Sequence, residues 1–86
     1  MTPASALLTQ LIPNWEQQLS EIRQIALLEL ADAIGPKLAN YQRFLFEIQH
    51  SDFESAALTL QDSRWYGLHD QLGERIVHMI RKNEAF

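Results

Sequence analysis

The sequence predicts an all-α protein: a compact bundle of five or six short helices around a buried central helix. Three observations predict it. Apolar residues recur at helical spacing along most of the 86-residue chain, alternating strand patterns are absent from the sequence, and glycines and prolines fall where the helical patterns break. The apolar stripes add up to one core, and a chain of this length makes one domain, so residues 1–86 are predicted to form a single helical domain.

The N-terminal part of the chain predicts two helices separated by a proline. Thr2 is placed to cap a helix that begins at Pro3, because proline fits the first helical position. An apolar stripe follows at helical spacing: Leu7, Leu8, Leu11 and Ile12. Pro13 ends this stripe, and Asn14 is placed to cap a second helix, with Gln17 reaching back in a capping box.

The second helix is predicted to be the buried centre of the bundle. Its segment 25–34, "IALLELADAI", is apolar almost all round, which is typical of a helix enclosed by others. The two acids within it, Glu29 and Asp32, are predicted to lie on a narrow strip that faces solvent. Gly35 and Pro36 then end the helix, because glycine commonly closes a helix and proline cannot continue one.

The second half of the chain predicts three more helices. The first of them spans about residues 37–50 and, like the last helix of the chain, carries its apolar residues on one face. Between these two, Ser51 and Glu54 form a capping box that opens a short helix. The segment 63–67, "SRWYG", is predicted to be a break, after which Asp70 caps the last helix.

Composition limits the functions that the domain can have. The chain has no cysteine, which excludes a disulfide framework and a thiolate metal site. Its net charge of −4 argues against a nucleic-acid partner, because that affinity depends mostly on cation contacts with phosphates. No apolar run approaches the roughly 20 residues of a membrane span, and the first residues do not resemble a signal peptide. We therefore expect no membrane partner. Most of the acids precede residue 63, which fits a face for a basic partner, mimicry of a nucleic acid, or ordinary solubility.

No constellation of side chains predicts catalysis, a metal ion or a cofactor. The histidines, His50, His69 and His78, are too far apart in sequence for two of them to share the i+3 or i+4 spacing of a helical metal site. Glycoside chemistry needs two carboxylates across a cleft, and only Glu29 and Asp32 lie inside an apolar run. Signatures of an activated nucleophile or a phosphate loop are also absent. We predict no catalytic residue, no metal and no cofactor.

Three segments of the chain carry a likeness to a known family. They read "LSEIRQIALLELADAIG", "FEIQHSDFESAALTLQDSRWY" and "ERIVHMIR". They resemble the C-terminal helical lobe of phage-type lysozymes of the T-even kind, from about residue 12 to the end. The most specific part is the unit that runs from Phe53-Glu54 to "SRWY". The resemblance implies that Trp65 is a structural residue in the core of the lobe, with Arg64 and Tyr66 at the rim of a loop.

The same resemblance implies that half of a lysozyme is missing. The family's catalytic glutamate, aspartate and threonine belong to an N-terminal lobe that has no counterpart here. Where the family has an aromatic and a glutamine facing the cleft, this chain has Asp32 and Ala33. Leu72 replaces an arginine one turn before Arg75. No residue of the catalytic set can be carried over, so the chain alone is not expected to hydrolyse peptidoglycan.

The function predicted from the sequence is therefore binding to another protein, through the face that the missing lobe would have covered. The candidate contact residues are Asp32, Tyr41, Arg64, Tyr66 and Leu72. Tyr41 and Leu72 also fit a place within the lobe's own core. The domain is expected to be cytoplasmic or phage-associated. Two alternatives remain open: one half of a split lysozyme, whose partner is a separate N-terminal lobe chain, or a peptidoglycan-binding module.

Overall fold

The computed structural model describes residues 3–85, and this part of the chain forms helices and no strand. A 3-10 helix, Gly35–Asn40, lies between the third and fourth of its α-helices. The α-helices are α1 (Pro3–Leu11), α2 (Trp15–Gln18), α3 (Glu21–Ile34), α4 (Gln42–Gln49), α5 (Phe53–Gln61), α6 (Arg64–Leu68) and α7 (Asp70–Lys82). The all-α prediction is confirmed. None of the helices in residues 3–85 is long and apolar enough to cross a membrane. The predicted cap at Thr2 lies outside the described residues.

The chain is divided into more helices than the five or six predicted. The predicted second helix is two helices, because Leu19 is extended and Ser20 starts α3 by accepting a hydrogen bond from the backbone N–H of Arg23 at 3.3 Å. The helix predicted over 37–50 begins only at Gln42, since the backbone after Gly35 forms the 3-10 helix first. The apolar periodicity locates these segments correctly and cannot show where a short helix is interrupted.

The capping box predicted at Ser51 and Glu54 is not formed, and the residue after Ser51 caps the helix instead. Ser51 has a φ of 58°. The N–H of Ser51 donates to the carbonyl of Ile48, and the N–H of Asp52 donates to the carbonyl of Glu47. This pair of bonds is the Schellman motif that closes α4. Because Ser51 is used to end one helix, Asp52 caps the next, and its carboxylate accepts from the N–H of Ser55 at 3.4 Å.

Two other predicted caps are also not formed. The side chain of Asn14 makes no capping hydrogen bond to α2. Asp70 is the first residue of α7 rather than its cap, and His69 occupies the cap position. Asp70 still lies in the first turn, where a negative charge interacts favourably with the helix dipole.

The helices pack as two groups that α7 holds together. Helix α3 packs against α1 and the 3-10 helix, and α5 packs against α4 and α6. Helix α7 contacts α3, α5 and α6. The predicted central helix therefore shares the centre of the bundle with α7. The largest fully buried side chains are Phe44, Leu8, Ile12, Leu27, Leu30, Leu38, Ile48, Leu60, Ile76 and Ile80. Burial of each such side chain contributes about 1.5–3 kcal/mol.

Tyr66 lies against Gly73, the glycine in the first half of α7. A Cβ atom added at Gly73 would come within 2.8 Å of Cδ2 and 3.2 Å of Cε2 of the Tyr66 ring. Real Cβ atoms do not approach so closely, so the absence of a side chain at this position lets α6 pack on α7. Gly73 is itself buried.

We expect the effect of Gly73→Ala on stability to depend on Tyr66. Alanine gains about 1 kcal/mol of helix propensity over glycine, but overpacking against the ring costs about 1–3 kcal/mol. In the Tyr66→Ala background the ring is gone, and Gly73→Ala should stabilise by about 1 kcal/mol. Urea unfolding of the four proteins of this double-mutant cycle measures the coupling. Stabilisation of equal size in both backgrounds would show that the ring does not restrict position 73.

Candidate binding groove

The segment "SRWYG" forms a short helix, α6, rather than the predicted break. The Ser63 hydroxyl accepts from the backbone N–H of Tyr66 at 3.2 Å and donates to the carbonyl of Leu60 at 2.6 Å. This cap fixes where α6 begins, so that Arg64 is exposed and Trp65 is buried. Gly67 suggested a break in the sequence, but it lies inside the last turn of this helix.

Trp65 anchors α6 in the protein. It is 7% exposed, and its indole stacks on the imidazole of His69 with ring centroids 5.1 Å apart. Its indole N–H is buried and has no hydrogen-bond partner. Trp15 differs, because its indole N–H donates to the hydroxyl of Thr9 at 3.0 Å. The Trp65 side chain is therefore held in the core by apolar packing and ring stacking.

The segment that faces α6 is formed by the end of α3 and the 3-10 helix. Gly35 has φ 73° and ψ −154°, a conformation that essentially only glycine adopts, and the chain changes direction there. Tyr41 follows the 3-10 helix: its N–H bonds the carbonyl of Leu38 at 3.0 Å, and its carbonyl accepts from Leu45 at 3.0 Å. The Tyr41 side chain is half-buried against the core.

A groove of about 330 Å³ lies between these two segments. The side chains that define it are Ile34, Lys37, Tyr41, Arg64, Trp65 and Leu68. A second hollow of about 280 Å³ adjoins it, and Asn40, Tyr41 and Arg64 line both. We call the first the Tyr41–Arg64 groove. Its volume is at the lower end of the range of clefts that hold ligands.

The charges in the Tyr41–Arg64 groove are of one sign. The described residues that line it include Lys37 and Arg64 and no aspartate or glutamate. Within residues 3–85 neither of these cations has an acid partner. Three other cations of the domain do form ion pairs: Arg43 with Glu47 at 3.4 Å, Arg75 with Glu29 at 2.9 Å, and Arg81 with Glu54 at 3.4 Å. Both Glu29 and Asp32 are predicted to face solvent. Asp32 is exposed, but Glu29 is half-buried and pairs with an arginine of α7.

The structure brings together two of the five candidate contact residues, Tyr41 and Arg64. Asp32 lines a separate hollow of about 160 Å³ beside α1. Tyr66 lines another, of about 220 Å³, with residues of α7. Leu72 is half-buried and packs against the core. The five residues therefore do not form one continuous groove.

Lys37 and Leu68 line the groove and were not predicted. Lys37 follows the predicted end of the central helix, and Leu68 follows "SRWYG", so neither stood out in the helical pattern. The local signal for Leu68 is its place two residues after Trp65-Tyr66, and the sequence around Lys37 has no such signal. Within residues 3–85 no cluster of three or more histidine, aspartate or glutamate side chains could hold a metal ion.

No family model, curated protein or solved structure matches this chain. The fold and the groove define its class as a small all-α domain with an exposed, cationic and partly apolar groove. Its likeness to a lysozyme lobe stays a prediction from the sequence.

Proposed function

We propose that this domain functions by binding another protein through the Tyr41–Arg64 groove and has no catalytic activity of its own. One observation carries the proposal: an apolar side chain in solvent and a cation without an acid partner line the same groove. Leu68 is 73% exposed, the highest value among the large hydrophobic residues in the described part of the chain. Leu68 lines the groove together with half-buried Ile34 and Tyr41, and contiguous apolar surface rimmed by polar residues is typical of interaction sites.

The residue types in the groove favour a protein interface. Tyrosine and arginine carry much of the binding energy of protein interfaces once a partner removes them from water. Tyr41 and Arg64 provide both types, and Leu68 adds apolar area that a partner would cover. The hydroxyl of Ser63 and the burial of Trp65 hold α6 in place, so little ordering of the backbone is needed on binding.

A cross-linking experiment tests the position of the interface. A photo-reactive phenylalanine derivative replaces Leu68 in the full chain, produced in the cells in which it naturally occurs. The same substitution at Phe46 is the control, because Phe46 is 61% exposed and lies outside the groove. We expect a discrete protein adduct at position 68 and none of similar yield at position 46.

Two variants connect that adduct to the groove. Each variant carries the cross-linker at position 68 together with either Arg64→Ala or Tyr41→Ala. We expect the yield of the protein adduct to fall on the order of tenfold in both, as for central interface residues. Circular dichroism checks that each variant is folded. An undiminished adduct in both variants, or a stronger adduct at position 46, would contradict an interface at this groove.

The purified chain is expected to leave peptidoglycan intact. The sequence supplies no pair of carboxylates for glycoside hydrolysis, which supports a role in binding alone. The assay follows the turbidity of purified peptidoglycan and the release of soluble fragments over time. Hydrolysis of peptidoglycan that persists after further purification and co-purifies with the folded domain would contradict this proposal.

A further inference from the structure

The charge of the Tyr41–Arg64 groove is opposite to that of the whole protein. The chain carries a net charge of −4, which alone favours a basic partner. The groove nevertheless contains two cations, Lys37 and Arg64, without an acid partner, and no acid among its described lining residues. The adjoining hollow also has no acid among its described lining residues, and its further cation, Arg43, is paired with Glu47.

Local charge decides which groups can occupy such a groove. At physiological ionic strength the Debye length is about 8 Å, so exposed charges farther than this from a bound group are largely screened from it. Arginine matches a carboxylate with two parallel hydrogen bonds, and lysine adds a point charge. The Arg64 side chain is exposed and forms no ion pair within residues 3–85, so its guanidinium is free to bind in this way.

Apart from Asn40, the remaining lining residues are apolar or aromatic. Leu68 is exposed, Ile34 and Tyr41 are half-buried, and Trp65 is fixed in the core. An apolar side chain of a ligand placed among them would remove Leu68 from water. The groove therefore combines an apolar contact surface with cations, and a fitting ligand carries an apolar group close to carboxylates.

We infer that the occupant of the groove is an acidic peptide segment of the partner, with an apolar side chain flanked by aspartate or glutamate. The apolar side chain lies against Leu68 and Trp65, and the carboxylates pair with Lys37 and Arg64. This inference rests on the proposed function and specifies the chemistry of the partner.

Selection from a random peptide library tests which peptide chemistry the groove binds. The full chain is immobilised, and the selection is repeated in parallel on the Arg64→Glu and Lys82→Glu variants. These two substitutions change the net charge equally, and Lys82 is exposed and lies outside the groove. Peptides enriched on the wild-type protein and on Lys82→Glu, but not on Arg64→Glu, are those that depend on the groove.

We expect the groove-dependent peptides to be richer in aspartate and glutamate than the starting library, around an apolar residue. Replacing these acids by asparagine and glutamine in a synthetic copy should weaken its binding on the order of tenfold, measured by fluorescence anisotropy. If the groove-dependent peptides have no excess of acids, the inference of an acidic occupant is wrong. The proposal that the groove binds a protein would still hold. The absence of any groove-dependent peptide would contradict both proposals.

A sedimentation assay separates a peptide ligand from a glycan ligand. Purified peptidoglycan carries carboxylates as well, so it is mixed with the wild-type chain and with Arg64→Glu. We expect both proteins to stay in the supernatant. Sedimentation of the wild-type chain that Arg64→Glu abolishes would overturn the assignment of the groove to a protein segment.

Discussion

Replacing Trp65 with alanine is expected to destabilise the domain by about 3–5 kcal/mol, the cost of truncating a large aromatic side chain in a close-packed core. Trp65 is 7% exposed and stacks on His69. The total stability of an 86-residue domain is about 4–13 kcal/mol, at roughly 0.05–0.15 kcal/mol per residue. The loss is therefore a large part of the total stability, and urea unfolding followed by circular dichroism measures it.

Trp65→Phe is the matched control. It keeps an aromatic ring and removes the buried indole N–H, which has no hydrogen-bond partner. Leaving a buried donor unpaired costs about 1–3 kcal/mol, so its removal offsets part of the lost packing. We expect Trp65→Phe to be much less destabilising than Trp65→Ala. A loss below about 1 kcal/mol for Trp65→Ala itself would show that this side chain is not part of the core.

The second large effect is expected at Arg23, which joins three helices. Its Nε donates to the carbonyl of Ile80 at 2.7 Å and its Nη2 to the carbonyl of Arg81 at 3.5 Å, near the C-terminus of α7. Its guanidinium carbon lies 3.8 Å from the centre of the Phe53 ring. Burial lowers the pKa of Arg23 because the charged form loses hydration. Arginine stays protonated in proteins, so these contacts and the helix dipole must compensate for that loss.

Arg23→Ala should cost about 2–4 kcal/mol, because it removes hydrogen bonds from a charged donor and a cation–π contact. Arg23→Lys keeps the charge but loses the planar group, and should recover only part of the stability. Arg64→Ala is the control, because it makes the same substitution at an exposed arginine without an ion pair. It should change stability by no more than about 0.5 kcal/mol. Chemical unfolding of the three variants gives these differences. Equal losses for Arg23→Ala and Arg64→Ala would mean that Arg23 does not join the helices.

Helical periodicity predicts the fold class and much of the core, since Leu8 and Ile12 of the first stripe and Leu27 and Leu30 of the segment 25–34 are buried. Helix boundaries were predicted less well because they depend on competition between neighbouring residues. The Schellman motif that uses Ser51 is one such case. Serine and aspartate are about equally preferred as N-cap residues, so residue type alone does not decide which of the two caps the next helix.

The groove was predicted only in part, because its walls come from segments far apart in sequence. Tyr41 and Arg64 were named as candidates, but Lys37 and Leu68 were not. The four residues come together because the chain turns at Gly35 and because burial of Trp65 fixes the position of α6. Such long-range placement leaves no periodic signal in the sequence.

The measurement that tests a binding function at this groove most directly is an NMR titration of the 15N-labelled domain with the partner protein captured by the cross-linker at position 68. We expect the largest changes in backbone amide shifts at residues 33–41 and 63–68, on the two sides of the Tyr41–Arg64 groove. Residues 46–58, which carry exposed Phe46 and Leu58, should change little. Changes centred on residues 46–58, or the absence of any change at saturating partner, would contradict a binding function at the groove.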